Sequence, residues 1–128
     1  MDIKENNKKE PKIAFLDRDG VINKDFGYVH KIKDFKFCPD SIKGMKLLLK
    51  KNYKLIIVTN QSGIGRGLYS KVEYKKLMKY MYQELQKFNI VILDTFFCPH
   101  HPEYGVGIYK KECNCRKPKP GMLLEAIK

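Results

Sequence analysis

Asp17 and Asp19 stand two residues apart at the end of a short apolar run, Ile13-Ala14-Phe15-Leu16, and Gly20 follows at once. An apolar run of this length suits a buried strand, and glycine permits a sharp exit turn. Two carboxylates at the mouth of a buried strand are costly unless a cation or a reaction uses them. The pattern suits one acid as nucleophile and its neighbour as proton donor, with a metal ion screening both. The plain alternative is a strand followed by an acidic turn.

A second group with chemistry is Cys98-x-His100 together with Cys113-x-Cys115. In extended chain, residues i and i+2 point the same way, so each pair can grip one ion. Three thiolates and one imidazole complete a closed tetrahedral zinc site, which implies a structural role. His101 competes with His100 for the fourth position. Four cysteines also permit a disulfide, a reading disfavoured for a cytosolic protein. Cys38 is left as an ordinary apolar residue and His30 as a loop contact.

Arg116, Lys117 and Pro118 follow the second pair directly. A zinc ion fixing Cys113 and Cys115 would also fix where these two cations point, sparing the side-chain entropy of ordering them. Their plain reading is a basic surface patch. Thr59-Asn60-Gln61-Ser62-Gly63 offers hydroxyls, amides and free backbone N–H groups, as phosphate oxygens require. It could equally be a polar turn. Gly63 and Gly65 match G-x-G, but position 68 is Leu68, so the dinucleotide fingerprint is absent. Arg66 is either a solvated loop residue or an anion contact.

These residues need elements to hold them. A first strand is expected over 12–16, then a loop or extended excursion over 24–37. Asp40 or Ser41 can cap a helix with Ile42, Met45, Leu48 and Leu49 on one face, ending near Asn52. A buried strand follows over 54–59, and a glycine-rich loop over 60–67. Ser70-x-x-Glu73 is a capping box, and Tyr74, Leu77, Met78, Met81, Leu85 and Phe88 keep helical spacing after it. A third strand over 90–97 leads into Cys98, a long polar loop runs to Lys119, and a helix begins at Pro120. Strands alternating with helices imply a parallel α/β sheet whose ligands bind at the carboxyl ends of the strands. Asp17, Thr59 and Cys98 all fall at such ends.

At 128 residues the chain is one domain over 1–128, with 1–11 as a polar N-terminal extension. Hydrophobic content of 43% fits a globular protein. No apolar run approaches the ~20 residues of a membrane span, and the N-terminus lacks an apolar secretory core, so a cytoplasmic location is expected. The net charge of +12 favours anionic partners. Lysine is scattered along the whole chain, and no arginine–aromatic interleaving suggests base stacking, so no specific nucleic-acid partner is expected.

Asp17-Arg18-Asp19-Gly20, Gly27-Tyr28-Val29-His30, Thr59 to Gly63, Cys98-Pro99-His100-His101 and Cys113 to Pro118 together resemble the haloacid dehalogenase superfamily of phosphatases. They are similar to its branch of D-glycero-D-manno-heptose 1,7-bisphosphate 7-phosphatases and histidinol-phosphate phosphatases, over about residues 12–128. Twelve residues separate His100 from Cys113, and a loop of that length resembles the heptose enzymes. The resemblance implies a doubly wound, Rossmann-like parallel sheet with a zinc-binding loop. Only 41 residues separate Asp17 from Thr59, so no separate cap domain fits.

The resemblance also implies roles. Asp17 would be the nucleophile of a magnesium-dependent phosphomonoesterase and Asp19 the acid and base. Asp17 and Asp19 would hold magnesium, and Cys98, His100, Cys113 and Cys115 zinc. Thr59 and Lys117 would hold the phosphoryl oxygens. Asp25, Phe26, Gly27 and Tyr28, with Asn60, Gln61, Ser62 and Arg116, would recognise the sugar and its second phosphate. The implied reaction removes the 7-phosphate in heptose biosynthesis for lipopolysaccharide or another surface polymer, by a monomer with a small phosphorylated sugar as its only partner. The rivals are histidinol-phosphate hydrolysis and a non-catalytic, zinc-stabilised basic binding module. One departure stands out: the superfamily places a further acidic magnesium ligand on a later strand. Here eleven residues follow Lys117, with Glu125 the only acid. A truncated chain without its C-terminal strands, binding magnesium weakly, is therefore expected.

Overall fold

The computed structural model describes residues 12–127, so the polar extension expected over 1–11 lies outside the described residues. Three strands, β1 (Lys12–Leu16), β2 (Tyr53–Asn60) and β3 (Asp94–Cys98), form one parallel sheet in the order β1-β2-β3. Parallel neighbours need crossover connections. Helix α1 (Ser41–Lys50) lies between β1 and β2, α2 (Ser62–Gly65) and α3 (Lys71–Gln86) lie between β2 and β3, and α4 (Gly121–Ala126) comes last. The excursion between β1 and α1 holds a 3-10 turn at Ile32–Asp34 and no further domain.

Strand β2 runs through the centre, and its Leu55, Ile56, Ile57 and Val58 are all buried, as a strand covered on both faces requires. Leu55 and Ile57 share a core with Met45 of α1 and with Leu77, Met81 and Leu85 of α3. Val58, one step on in the alternation, joins Cys98 and Met122 of α4 on the other face. Each fully buried aliphatic side chain of this kind contributes about 1.5–3 kcal/mol. Helix α3 starts as its sequence implies. Ser70 accepts from the Glu73 N–H at 3.0 Å while Glu73 accepts from the Ser70 N–H at 2.8 Å.

Several expectations are corrected. Strand β1 is not buried: it is an edge of the described sheet, with Ile13 38% and Phe15 36% exposed and only Ala14 and Leu16 turned to the core. Asp40 does occupy the N-cap of α1, but neither it nor Ser41 caps through its side chain; Asp40 has φ 67°, and the Ser41 hydroxyl is buried without a hydrogen-bond partner. The glycine-rich loop winds into the short helix α2. Helix α3 stops at Gln86, leaving Phe88 exposed. The chain then reverses at Asn89 (φ 62°), so Ile90 packs in the core beside the helix end and β3 begins only at Asp94.

Candidate active site

Register brings the reactive ends together. Leu16 pairs with Ile57 and Asn60 with Cys98, so Asp17, the β2 end and Cys98 emerge along one edge of the sheet. Gly20 has φ +88°, which gives the chain its exit turn directly after Asp19. In that turn the Arg18 carbonyl accepts from the Val21, Ile22 and Asn23 N–H groups. Above the edge opens a cleft of about 370 Å³ with Asp17, Asp19, Tyr69 and Lys117 in its wall.

Asp17 is held from two sides. Its Oδ1 accepts the Arg18 N–H at 2.8 Å, and its Oδ2 lies 3.1 Å from the Lys117 ammonium. The Asp17 side chain remains 42% exposed, so an attacking face stays open. Lys117 is itself anchored, its ammonium donating to the Val58 carbonyl at 3.0 Å. Its backbone is clamped by Asn60, whose Oδ1 accepts the Lys117 N–H at 2.9 Å and whose Nδ2 donates to the Lys117 carbonyl at 3.3 Å. The end of β2 thereby fixes where the lysine stands.

Asp19 is gripped more fully. Arg18, wholly buried, donates to its Oδ1 from Nη2 at 2.7 Å and from Nε at 3.2 Å, and Nη2 also donates to the Val29 carbonyl at 2.8 Å. Asn23 adds a donor to Oδ1 at 3.0 Å, and Gln61 donates to Oδ2 at 3.0 Å. Sequence reasoning gave Arg18, Asn23 and Tyr69 no role. A cation between two acids was the available signal for Arg18; the sequence carried none for Tyr69.

The other expected substrate contacts divide. Asp25, Gly27, Tyr28, Asn60 and Ser62 line the cleft, and Asp25 Oδ1 accepts the Gly27 N–H at 2.9 Å. Gln61 reaches the wall but is only 2% exposed. Phe26 sits 61% exposed outside the lining, and Arg116 donates to the His100 carbonyl at 3.4 Å. Thr59, expected to hold a phosphoryl oxygen, is wholly buried, its hydroxyl accepting from Gln61 at 3.0 Å. The Arg66 guanidinium lies over the rings of Tyr28 (5.5 Å) and Tyr104 (4.8 Å).

Beyond β3 the donor atoms of Cys98, His100, Cys113 and Cys115 all lie within 4.8 Å of one another. Cys113 Sγ stands 3.4 Å from Cys98 Sγ and 3.4 Å from Cys115 Sγ, and His100 Nδ1 stands 3.3 Å from Cys115 Sγ. Cys98 and Cys115 are placed in disulfide contact, with Cα atoms 5.5 Å apart. His101 takes no part in the cluster; its Nδ1 accepts the Glu103 and Tyr104 N–H groups at 3.1 Å and so builds the loop. Burial, and then the charges of Lys111 and Lys71, hold the His100 imidazole below its ordinary range, keeping a lone pair free at neutral pH.

Residues 12–128 match the family described as polynucleotide kinase 3 phosphatase. The chain is 49% identical over 117 residues to a D-glycero-beta-D-manno-heptose-1,7-bisphosphate 7-phosphatase of Haemophilus influenzae, covering 91% of this chain and 63% of that protein. It is 48% identical over 117 residues to a D-glycero-alpha-D-manno-heptose-1,7-bisphosphate 7-phosphatase of Photorhabdus laumondii, covering 91% and 64%. The chain thus spans less than two thirds of the length of these relatives. Among solved structures, the D,D-heptose 1,7-bisphosphate phosphatase of B. bronchiseptica, complexed with magnesium and phosphate, superposes with a TM-score of 0.79 at 31% identity, over 90% of this chain and 61% of that one.

Proposed function

This chain belongs to the polynucleotide kinase 3 phosphatase family, and from that premise we propose that it is a phosphomonoesterase removing the 7-phosphate of D-glycero-D-manno-heptose 1,7-bisphosphate. One observation carries the reading: Asp17 faces the Lys117 ammonium at 3.1 Å in an open cleft, with Asp19 held beside it by three side chains. The names of the similar proteins supply the substrate class. Within this reading the partner is a soluble phosphorylated sugar, met in the cytoplasm by a monomer. Among the described residues no helix is long and apolar enough to cross a membrane.

The steps follow from the side chains. The open Asp17 carboxylate attacks phosphorus, the ester P–O bond breaks, and its electron pair goes to the sugar oxygen. Asp19 delivers a proton to that oxygen as it leaves. Water then attacks the aspartyl-phosphate, giving a proton back to Asp19. The bond to Asp17 breaks, and inorganic phosphate departs. Lys117 offsets charge on the non-bridging oxygens throughout. Arg116 and the loops around Tyr28 and Ser62 recognise the rest of the sugar.

Magnesium is a hard cation that prefers carboxylate and carbonyl oxygens, and the Asp17 carboxylate with the Asp19 main-chain carbonyl would hold it. It supplies screening between an anionic nucleophile and an anionic ester. The three sulfurs and one imidazole suit zinc. Tetrahedral bonds of about 2.3 Å to sulfur separate ligand atoms by roughly 3.8 Å, and the contacts of Cys113 with Cys98 and Cys115 are 3.4 Å. A disulfide employs two of these four donors, whereas a closed zinc site employs all four.

The test is phosphate release from the heptose bisphosphate with magnesium present, followed by ³¹P NMR to identify the phosphate lost. The 7-phosphate should disappear, and Asp17→Asn should slow release by at least ~10³, as removal of one member of a catalytic unit does. Undiminished turnover by Asp17→Asn overturns the nucleophile. No release from any sugar phosphate, even by a protein extended to the length of the relatives, overturns the enzyme reading in favour of the zinc-stabilised binding module.

A further inference from the structure

Gln61 is nearly inaccessible, yet each polar atom of its amide is used. Tyr69 Oη–H donates to Gln61 Oε1, while Gln61 Nε2 donates to Asp19 Oδ2 at 3.0 Å and to Thr59 Oγ1 at 3.0 Å. A primary amide has two N–H donors, so both are spent. The amide is held in one orientation, because turning it over would set its oxygen against the acceptor-only Asp19 carboxylate. Burial pushes the Tyr69 hydroxyl above the ordinary tyrosine range, so it stays a donor at any working pH.

The two oxygens of Asp19 are thereby made unequal. Oδ1 takes three N–H donors, two from Arg18 and one from Asn23, and has no room for a proton of its own. Oδ2 takes one, from Gln61, and keeps a lone pair free. Resting on the reading of Asp19 as acid and base, we propose that Gln61 and Tyr69 are positioning residues that assign proton transfer to Asp19 Oδ2. The buried chain Tyr69–Gln61–Asp19 fixes that oxygen at the cleft wall. When the sugar oxygen leaves, the O–H bond at Oδ2 breaks and the proton moves to that oxygen; the hydrolytic water later returns one to the same atom.

The surroundings are shaped for this chain. The Tyr69 ring stacks on His30, with centroids 4.8 Å apart and planes 8° apart. It also lies so close to Gly63 that a β-carbon there would meet Tyr69 Cε1 at 2.1 Å. A side chain at position 63 would push Tyr69 away from Gln61.

The experiment compares wild type, Tyr69→Phe and Gln61→Met on two esters, an alkyl phosphate and p-nitrophenyl phosphate. An alkoxide needs a proton to leave, whereas nitrophenolate does not, so misplacing the acid penalises the first selectively. The loss in kcat on the alkyl ester should exceed the loss on the aryl ester by about tenfold or more in both variants. A second readout is independent of turnover. The Gln61 side-chain amide protons should exchange slowly in wild type by ¹⁵N NMR and lose that protection in Tyr69→Phe. Equal losses on both esters, fast exchange in wild type, or unchanged protection in Tyr69→Phe each overturns the proposal. If the chain hydrolyses neither ester, the phosphatase reading fails, and the exchange data alone decide whether the chain of bonds exists.

Discussion

Replacing Arg18 with methionine should destabilise the protein sharply, and the structure indicates by how much. The guanidinium is wholly buried and makes two bonds to Asp19 and one to the Val29 carbonyl. Breaking a buried ion pair by removing one partner costs about 3–5 kcal/mol. Asp19 is 21% exposed and keeps Asn23 and Gln61 as donors, so its share is lower, about 2 kcal/mol on that scale. The Val29 carbonyl, left unpaired in the interior, adds about 1 kcal/mol. The total near 3 kcal/mol is a large part of the 5–15 kcal/mol typical of a domain. Urea unfolding with a slope of about 2 kcal/mol/M would then place the midpoint roughly 1.5 M lower. Asp19→Asn should also destabilise, because it leaves the buried guanidinium without its counter-charge. In the double variant the losses should fall short of additive by about 1–2 kcal/mol, as contacting partners do. A loss under about 1 kcal/mol for Arg18→Met, or additivity within about 0.5 kcal/mol, would refute the view that this pair is structural.

Other outcomes follow from single contacts. Gly63→Ala should cost about 2 kcal/mol by overpacking against Tyr69, seen as a drop of roughly 8 °C in Tm; an unchanged Tm would show that Tyr69 moves freely. Gly44→Ala, on the exposed face of α1 with nothing within 4 Å of the new β-carbon, should instead stabilise by about 0.5–1 kcal/mol in the same melt. Protein purified without added metal should carry one zinc per chain by elemental analysis, and Cys113→Ser should lose it. Near-zero zinc together with an intact Cys98–Cys115 disulfide would remove the metal reading.

The sequence alone determined a good deal. Strand positions were legible because an apolar run ending in polar residues has few other uses, and β1 was read to the residue. The capping box of α3 was legible because its two hydrogen bonds join residues three apart. The parallel α/β order followed from alternation, and the cysteine–histidine pairs from i, i+2 spacing. Failures occurred where distant chain decides local form. Asn89 reverses the backbone and delays β3, and α2 winds where glycines suggested open loop.

The sequence already favoured His100, and the tertiary structure removed its competitor, because the loop turns the His100 ring toward Cys115 and spends His101 on its own N–H groups. The tertiary structure alone tied Lys117 to Asn60 and Tyr69 to Gln61, and set Arg18 beneath Asp19. Composition and periodicity report which residues leave water. They do not report which buried donor meets which acceptor, since that depends on packing between elements far apart in the chain. Residue type therefore located the chemistry, and the fold assigned each atom its partner.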